Sequence, residues 1–407
     1  MLGPAFGQAT QDMVFAGWSH TEVGSKPFLE TVLADFKSAN PAIKLETVGV
    51  PFGQMETTLL LRKRSGQRTD VAQLQERWLA SFVGAGGMAD VDQVFGAKYL
   101  DDTFHESGLA MAKIGTKRFG VPWVTGSTGL VANGKVLAEV GIAKPPETID
   151  ELVDALRKVK KAKPTSSPYG FTTKNASLTQ LESQLFFWTF GARFFDDADK
   201  VTIDSDQARQ ALTLLTDMVK EGLILPGNDR FDFRRLYAQE LVAFYPDPPL
   251  ARAFARAQSG KGEDYDKYVL PIPMPVLKKG DQPACVQWGH LLGYFEQGGA
   301  KPTADGPAGL FTRHLMETKN QIAYYKATGV FPSTKAAIKA LADDQYLNNW
   351  LDQARSARPD ELSVFANGNE LRNIIGEEVT GAMLGQKTPA DAIKSMAGRL
   401  VAANPRR

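Results

Sequence analysis

The sequence predicts an α/β chain folded into two lobes, and three observations carry that prediction. Strand-like and helical patterns alternate from Met13 to Trp78. A turn-rich connector, RFGVPWVTGSTGLVANGKVLAEVGI from Arg118 to Ile142, stands after one complete α/β block and before another. The length of 407 residues suits two domains of about 150 to 200 residues each.

In the first block, Met13 to Ala16 is a short apolar run, followed by a loop of Gly17, Trp18, Ser19 and His20. Ser25 is placed to cap a helix whose apolar positions Phe28, Leu29, Val32, Leu33 and Phe36 share one face, and Asn40-Pro41 stops it. Ile43 to Val50 reads as a strand. After Pro51-Phe52-Gly53 a helical pattern runs from Leu59 to Arg64, and Gly66 ends it. Asp70 to Leu74 is the next strand, delivering Gln75, Glu76, Arg77 and Trp78 at the mouth of a further helix. Alternation of this kind implies a parallel sheet, and in open parallel sheets ligands sit off the carboxyl ends of the strands. Trp18, Phe52, Gln75 and Glu76 lie at such ends.

The connector opens on Gly120 and Pro122, carries Trp123, and passes through Thr125, Gly126, Ser127, Thr128 and Gly129 into the apolar run Leu130 to Ala132. A helix begins near Lys135. As a first crossing between lobes, it places Trp123 through Ser127 along whatever lies between them. In the second block, Thr148 or Asp150 caps a helix from Glu151 to Lys161, and Tyr169 to Thr173 reads as a strand. Leu178 to Phe190 is a helix dense in aromatic residues, Asp206 to Glu221 a further amphipathic helix. Leu236 to Tyr245 leads to Pro246-Asp247-Pro248-Pro249, and the extended run Val269 to Pro275 suits a return crossing. The third block holds Val286 to His290, a strand Leu291 to Phe295 and a helix near Gly309 to Lys326. From Ala336 onward the chain is mostly helical, with Arg372 in one such segment and Thr388-Pro389 starting the last.

Lys and Arg total 47 against 46 Asp and Glu. That balance lacks the strongly basic face that nucleic acid or an anionic membrane would require. The single cysteine, Cys285, excludes an internal disulfide and a thiolate metal cluster within one chain. No apolar run approaches the ~18 residues that span a bilayer. Residues 1–9 include Gly7 and Ala9 ahead of polar Thr10-Gln11-Asp12, as at the cleavage end of a secretory signal; a cytosolic protein's irregular start is the other reading.

Catalytic signatures are missing. None of the four histidines (20, 105, 290, 314) has the metal-binding i, i+4 spacing, and neither a Walker lysine loop nor a G-x-S-x-G elbow occurs. Gly84 to Ala89 fits the loose dinucleotide pattern but follows a helix-like segment, whereas a pyrophosphate needs a strand-to-helix turn. The adjacent pairs Asp101-Asp102 and Asp196-Asp197 read as solvated turns. A glycosidase's two carboxylates need not be neighbours in sequence. We therefore expect no catalytic residue, no metal and no cofactor.

The tryptophans carry more information. Of six, Trp18, Trp123 and Trp288 fall in strand-end loops, Trp78 and Trp188 flank such positions, and Trp350 reads as an ordinary helix residue. For any one of them core packing is the simpler explanation. As a set, with Glu76, Gln75, Asp247, Ser127, His20 and His290 nearby, they suit a polyhydroxylated ligand, whose apolar face stacks on rings while polar groups bond its hydroxyls.

Seven stretches in order then carry a family resemblance: FLETVLADFKSANPAIKLETVGVPFGQM, TDVAQLQERWLASFVGAGGMADV, FGVPWVTGSTGLVANGKVLAEVGIAKPPETIDEL, MVKEGLI, YAQELVAFY, YYKATGVFPSTKAAI and EEVTGAMLGQKTPADAI. The chain resembles the extracellular solute-binding proteins of bacterial ABC importers, in the carbohydrate-binding cluster that includes maltose-, trehalose- and glycerol-phosphate-binding proteins. The resemblance implies a periplasmic binding protein fold: two Rossmann-like lobes joined by a hinge, with a helical C-terminal segment. On that reading residues 10–118 and 283–335 form lobe I, residues 119–282 and 336–407 form lobe II, and residues 1–9 are the remnant of a signal or an added start. The protein is then a periplasmic monomer that captures a sugar, oligosaccharide or sugar derivative in the interlobe cleft by hinge closure and delivers it to ABC permease subunits. A secreted carbohydrate-active enzyme and a periplasmic sugar-sensing module are the alternatives.

The resemblance further implies ligand contacts at Trp18, Ser19 and His20, at Glu76, at the crossing Trp123, Thr125 and Ser127, at Trp188, at Asp247 and at Trp288, Gly289 and His290. Phe52 and Gln75 join them from the strand-end argument. In glycerol-phosphate-binding relatives an arginine ahead of an acidic pair contacts the ligand, and Arg372 stands ahead of Glu377-Glu378. Those relatives carry an aromatic residue where this chain has Val330, which points away from a phosphodiester and toward an ordinary or modified sugar.

Overall fold

A computed structural model describes residues 10 to 404. The expected signal remnant at 1–9 lies outside the described residues. The chain divides into two compact units: the first comprises the segments up to Thr125, Gly289–Ala327 and Phe331–Ala342, the second Gly126–Trp288, Thr328–Val330 and the segment from Asp343 onward.

In the first unit, strand Gln11–Gly17 lies parallel to Ile43–Gly49, with Gln11 opposite Ile43 and Gly17 opposite Gly49. On its other side it pairs in parallel with Val71–Gln75. The C-terminal half of Cys285–Tyr294 closes this group antiparallel, placing Gln75 opposite His290. Helix Lys26–Ala39 turns Leu29, Val32, Leu33 and Phe36 inward, each burial worth about 1.5–3 kcal/mol. Ser25 does not cap it; its hydroxyl donates to the Ser19 carbonyl and so ties down the loop after the first strand. The second helix, Phe52–Arg64, starts seven residues earlier than the apolar pattern suggests. The helix expected over Gly309 to Lys326 breaks at Glu317 into Pro307–Met316 and Thr318–Thr328.

The connector is one continuous strand, Val121–Asn133, rather than a loop leading into a short strand. Its Val124 and Thr125 pair with Pro332 and Phe331 in the first unit, while Gly129 to Asn133 pair in the second. The hydroxyl and glycine run therefore stays extended, because it has a partner on each stretch.

In the second unit, Gly129 to Ala132 pair antiparallel with Phe244–Asp247, and Leu130 to Asn133 pair antiparallel with Val269–Ile272. The latter run, expected as a return crossing, is instead a strand inside this unit; the chain returns within Cys285–Tyr294. Tyr169 to Thr173 forms no strand, and Tyr169 makes only isolated bridges to Ile224 and Phe244. The core joins Leu130, Leu152, Leu156, Phe171, Leu185, Phe186, Leu212, Ile375 and Val379. Helix Ile149–Ala162 begins with a full capping box between Thr148 and Glu151, Asp206–Lys220 is capped by Ser205, and Pro389–Ala403 by Thr388. Helices Ala176–Thr189 and Gly368–Met383 pack backbone to backbone at Gly376, where a Cβ would lie 2.3 Å from the Ala176 carbonyl oxygen. Among the described residues no helix is long and apolar enough to cross a membrane.

Candidate functional site

The parallel strands of the first unit end together, and their ends gather eight of the expected residues: Trp18, Ser19, His20, Phe52, Gln75, Glu76, Gly289 and His290. The Trp18 ring meets His290 edge-on at 4.7 Å, Phe52 at 5.5 Å and Trp78 at 5.5 Å, while Phe52 and Trp78 stack at 5.3 Å. Edge-to-face and offset contacts at these separations are favourable because ring edges are positive and faces negative. Gln73 is the polar hub beside them. Its Oε1 accepts the Ser19 backbone N–H at 3.0 Å, and its Nε2 donates to Ser19 Oγ at 2.9 Å and sits 3.0 Å from His290 Nδ1. Burial pushes the His290 imidazole down to about 3, so the ring is neutral at physiological pH.

Glu76 is the charged member of this group. Its Oε2 accepts the Gly289 backbone N–H at 3.0 Å and a Gln75 Nε2 hydrogen at 2.5 Å, and Gln75 Nε2 also donates to the Gly289 carbonyl at 3.2 Å. Burial raises the Glu76 carboxyl to about 7 against the pull of Arg77 and these donors. Trp18, Gln75 and His290 have almost no exposed surface; Phe52 and His20 are half-buried and supply the group's accessible faces. Burial lowers His20 to about 4, and its ring lies 5.2 Å from Phe15.

Trp123 and Thr125 belong to the same unit but not to this group. Trp123 is fully buried, stacked on Tyr324 at 5.1 Å and 19°, and its carbonyl accepts from Gln321 Nε2 at 3.1 Å. It offers no ring face to solvent. Thr125 Oγ1 donates to the Pro332 carbonyl at 3.5 Å.

The second unit holds the remaining expected residues. Ser127 is buried, with Oγ 3.4 Å from Gln353 Oε1, and Gln353 Nε2 donates to the carbonyls of Leu130 and Ile272 at 2.9 and 2.7 Å. The ring of Trp288 lies against Gly126, where a Cβ would come within 3.1 Å. Trp188 donates its indole N–H to Glu361, and the Arg358 guanidinium covers its ring at 4.1 Å. Arg372 is fully buried within helix Gly368–Met383. Asp247 is fully buried too, and both its oxygens are taken by Arg234, at 2.8 and 2.7 Å.

Asp247 leads to a network that the sequence reading overlooked. Arg234 lies over the Phe254 ring at 4.0 Å, and Arg230, one turn earlier, pairs with Glu182 at 3.0 Å. Glu182 also accepts from the Thr172 backbone and hydroxyl at 2.6 and 2.9 Å. Desolvation raises the Glu182 carboxyl despite these partners. The signal was present: Arg230 and Arg234 are four residues apart on a helix that Asp229 caps, and Glu182 interrupts an otherwise apolar helix. Gln73 was hidden because a polar residue inside a strand can face either way.

Among the described residues no group of three or more His, Cys, Asp or Glu side chains is placed to hold a metal ion. The chain belongs to the bacterial extracellular solute-binding protein family, whose model matches residues 18–290. It is 24% identical over 234 residues to a putative binding protein of Brucella abortus, covering 55% of this chain and 54% of that one. It is 27% identical over 187 residues to the arabinooligosaccharide-binding protein of Bacillus subtilis, covering 46% and 42%. The chain thus spans about half the length of these relatives. Its fold matches that of the maltose-bound MalE3 of T. maritima with a TM-score of 0.83 at 22% identity, over 96% of this chain and 99% of that one.

Proposed function

We propose that the protein is the substrate-binding component of an ABC importer, acting outside the cytoplasm to capture a sugar, oligosaccharide or sugar derivative and pass it to membrane permease subunits. One observation carries the proposal: at the strand ends of the first unit the half-buried rings of Phe52 and His20 stand with the hydrogen-bonding groups of Ser19, Gln73, Gln75 and Glu76, backed by the buried Trp18 and Trp78. Family membership and the sugars named for its relatives support it. A hydrogen bond to a charged group contributes about 1.5–3 kcal/mol and a ring contact about 0.5–1.5, so a few of each give micromolar affinity after the cost of association. Thermal-shift measurements with maltose, arabinooligosaccharides and glycerophosphocholine test this. A ligand that binds only the folded protein adds about 2.7 kcal/mol of stability at a hundredfold excess over Kd. A shift with a sugar supports the reading, and a flat response across the panel refutes it.

A further inference from the structure

Gln73 is a fully buried polar residue inside strand Val71–Gln75, and its chemistry fixes which way its amide faces. The Ser19 backbone N–H, which can only donate, meets one end of the amide at 3.0 Å, so that end is the oxygen. The other end, 2.9 Å from Ser19 Oγ and 3.0 Å from His290 Nδ1, is therefore the nitrogen. Gly17 makes the room: a Cβ there would lie 2.9 Å from Gln73 Oε1 and 3.3 Å from Gln73 Cβ. All four residues belong to the first unit.

The roles of the neighbours follow from that orientation. An amide nitrogen carries two hydrogens and accepts nothing, so one goes to Ser19 Oγ and the other to His290 Nδ1. Nδ1 is then an unprotonated acceptor. A neutral imidazole holds one proton, and with Nδ1 bare that proton stands on Nε2. Burial keeps the His290 ring neutral, and the edge-on contact with Trp18 at 4.7 Å holds its plane. Ser19 Oγ, besides taking a hydrogen from Gln73, bonds the Tyr324 hydroxyl at 3.1 Å. Gln73 presents no surface of its own to a ligand and acts through the groups it holds.

We infer that Gln73 is a positioning residue for ligand capture: it pins the loop of Trp18, Ser19 and His20 to the sheet and holds His290 in the tautomer protonated at Nε2, so the strand-end group has its donors and acceptors set before a ligand arrives. The inference rests on the sugar-binding reading above. Preorganisation of this kind strengthens binding, because the ordering cost is met on folding rather than on association.

The test records 15N spectra of histidine-labelled, ligand-free wild type and Gln73→Glu at pH 8, with the His290 signals identified by their loss in His290→Gln, and titrates wild type and Gln73→Glu calorimetrically with maltose and arabinotriose. The introduced carboxylate keeps the length of the side chain and an oxygen for the Ser19 N–H, but turns an acceptor toward His290 Nδ1. Wild type is expected to show His290 protonated at Nε2 with Nδ1 bare. Gln73→Glu is expected to move the proton to Nδ1 and to lower sugar affinity about tenfold or more. A space-filling role for Gln73 would leave tautomer and affinity unchanged. Gly17→Ala, whose methyl group displaces the Gln73 amide without altering it, should lose affinity as well. Nδ1 protonated in wild type, or both variants binding as tightly as wild type, overturns the inference while leaving the sugar reading intact. No binding by wild type refutes the sugar reading and the role in capture with it. Should Gln73→Glu not fold, the wild-type spectrum and Gly17→Ala decide.

Discussion

Replacing Glu76 by Gln isolates the energetic cost of one buried carboxylate. In the unfolded chain the group titrates near its ordinary 4.5; in the folded protein burial raises it to about 7. Between these values the folded state holds a proton that the unfolded state has released, so this group's contribution to stability falls as pH rises from 4.5 to 7 and is level above that. The difference corresponds to about 3 kcal/mol. Glutamine's carbonyl oxygen takes the place of Oε2 and keeps both the Gly289 N–H and the Gln75 Nε2 donors, but the attraction of Arg77 for the carboxylate is lost, which offsets part of the gain. Glu76→Gln is therefore expected to match wild type near pH 5 and to exceed it by about 2 kcal/mol at pH 8. Denaturant unfolding of both proteins from pH 5 to 8, without ligand, measures this. Parallel stability curves across that range would refute the reasoning, because they would mean that Glu76 ionises freely.

Three further outcomes follow from packing and charge. Arg234→Met removes the two-point partner of buried Asp247, leaving it Arg230 at 3.9 Å, and should cost about 3–5 kcal/mol by denaturant unfolding, with much of the loss recovered on adding Asp247→Asn. Gly376→Ala drives a methyl group into the Ala176 backbone and should lower stability by about 1–3 kcal/mol or more. Trp123→Ala empties a fully buried site stacked on Tyr324 and should cost about 3–5 kcal/mol; an unchanged melting temperature would move Trp123 out of the core and back among the ligand platforms.

Much of the architecture was legible because it follows from local pattern. The apolar face of Lys26–Ala39, the cap at Thr148 (one of two candidates with Asp150) and the ordering of Trp18 and Glu76 at strand ends all follow from neighbours a few residues apart. The failures come from partners that periodicity does not reveal, some far along the chain and some, such as Ser19 for Ser25, close by. Thr125 to Gly129 look like a loop until Phe331 and Asp247 pair with the two ends of the run. Ser25 looks like a cap until the Ser19 carbonyl claims its hydroxyl. Trp123 looks like a platform until Tyr324 covers its face, and Asp247 looks available until Arg234 takes both oxygens. Polar residues within apolar segments, Gln73, Glu182, Gln180 and Gln184, were the unused clue, since such residues persist inside only where they are bonded.

The central claim is that this protein binds a sugar and returns it unchanged. Calorimetric titration with maltose and arabinooligosaccharides, followed by chemical recovery of the ligand, tests it most directly. The account predicts a saturable heat at micromolar or tighter affinity, weakened by Glu76→Gln, with the sugar recovered intact. Cleaved sugar, or no heat with any sugar of the panel, would contradict it.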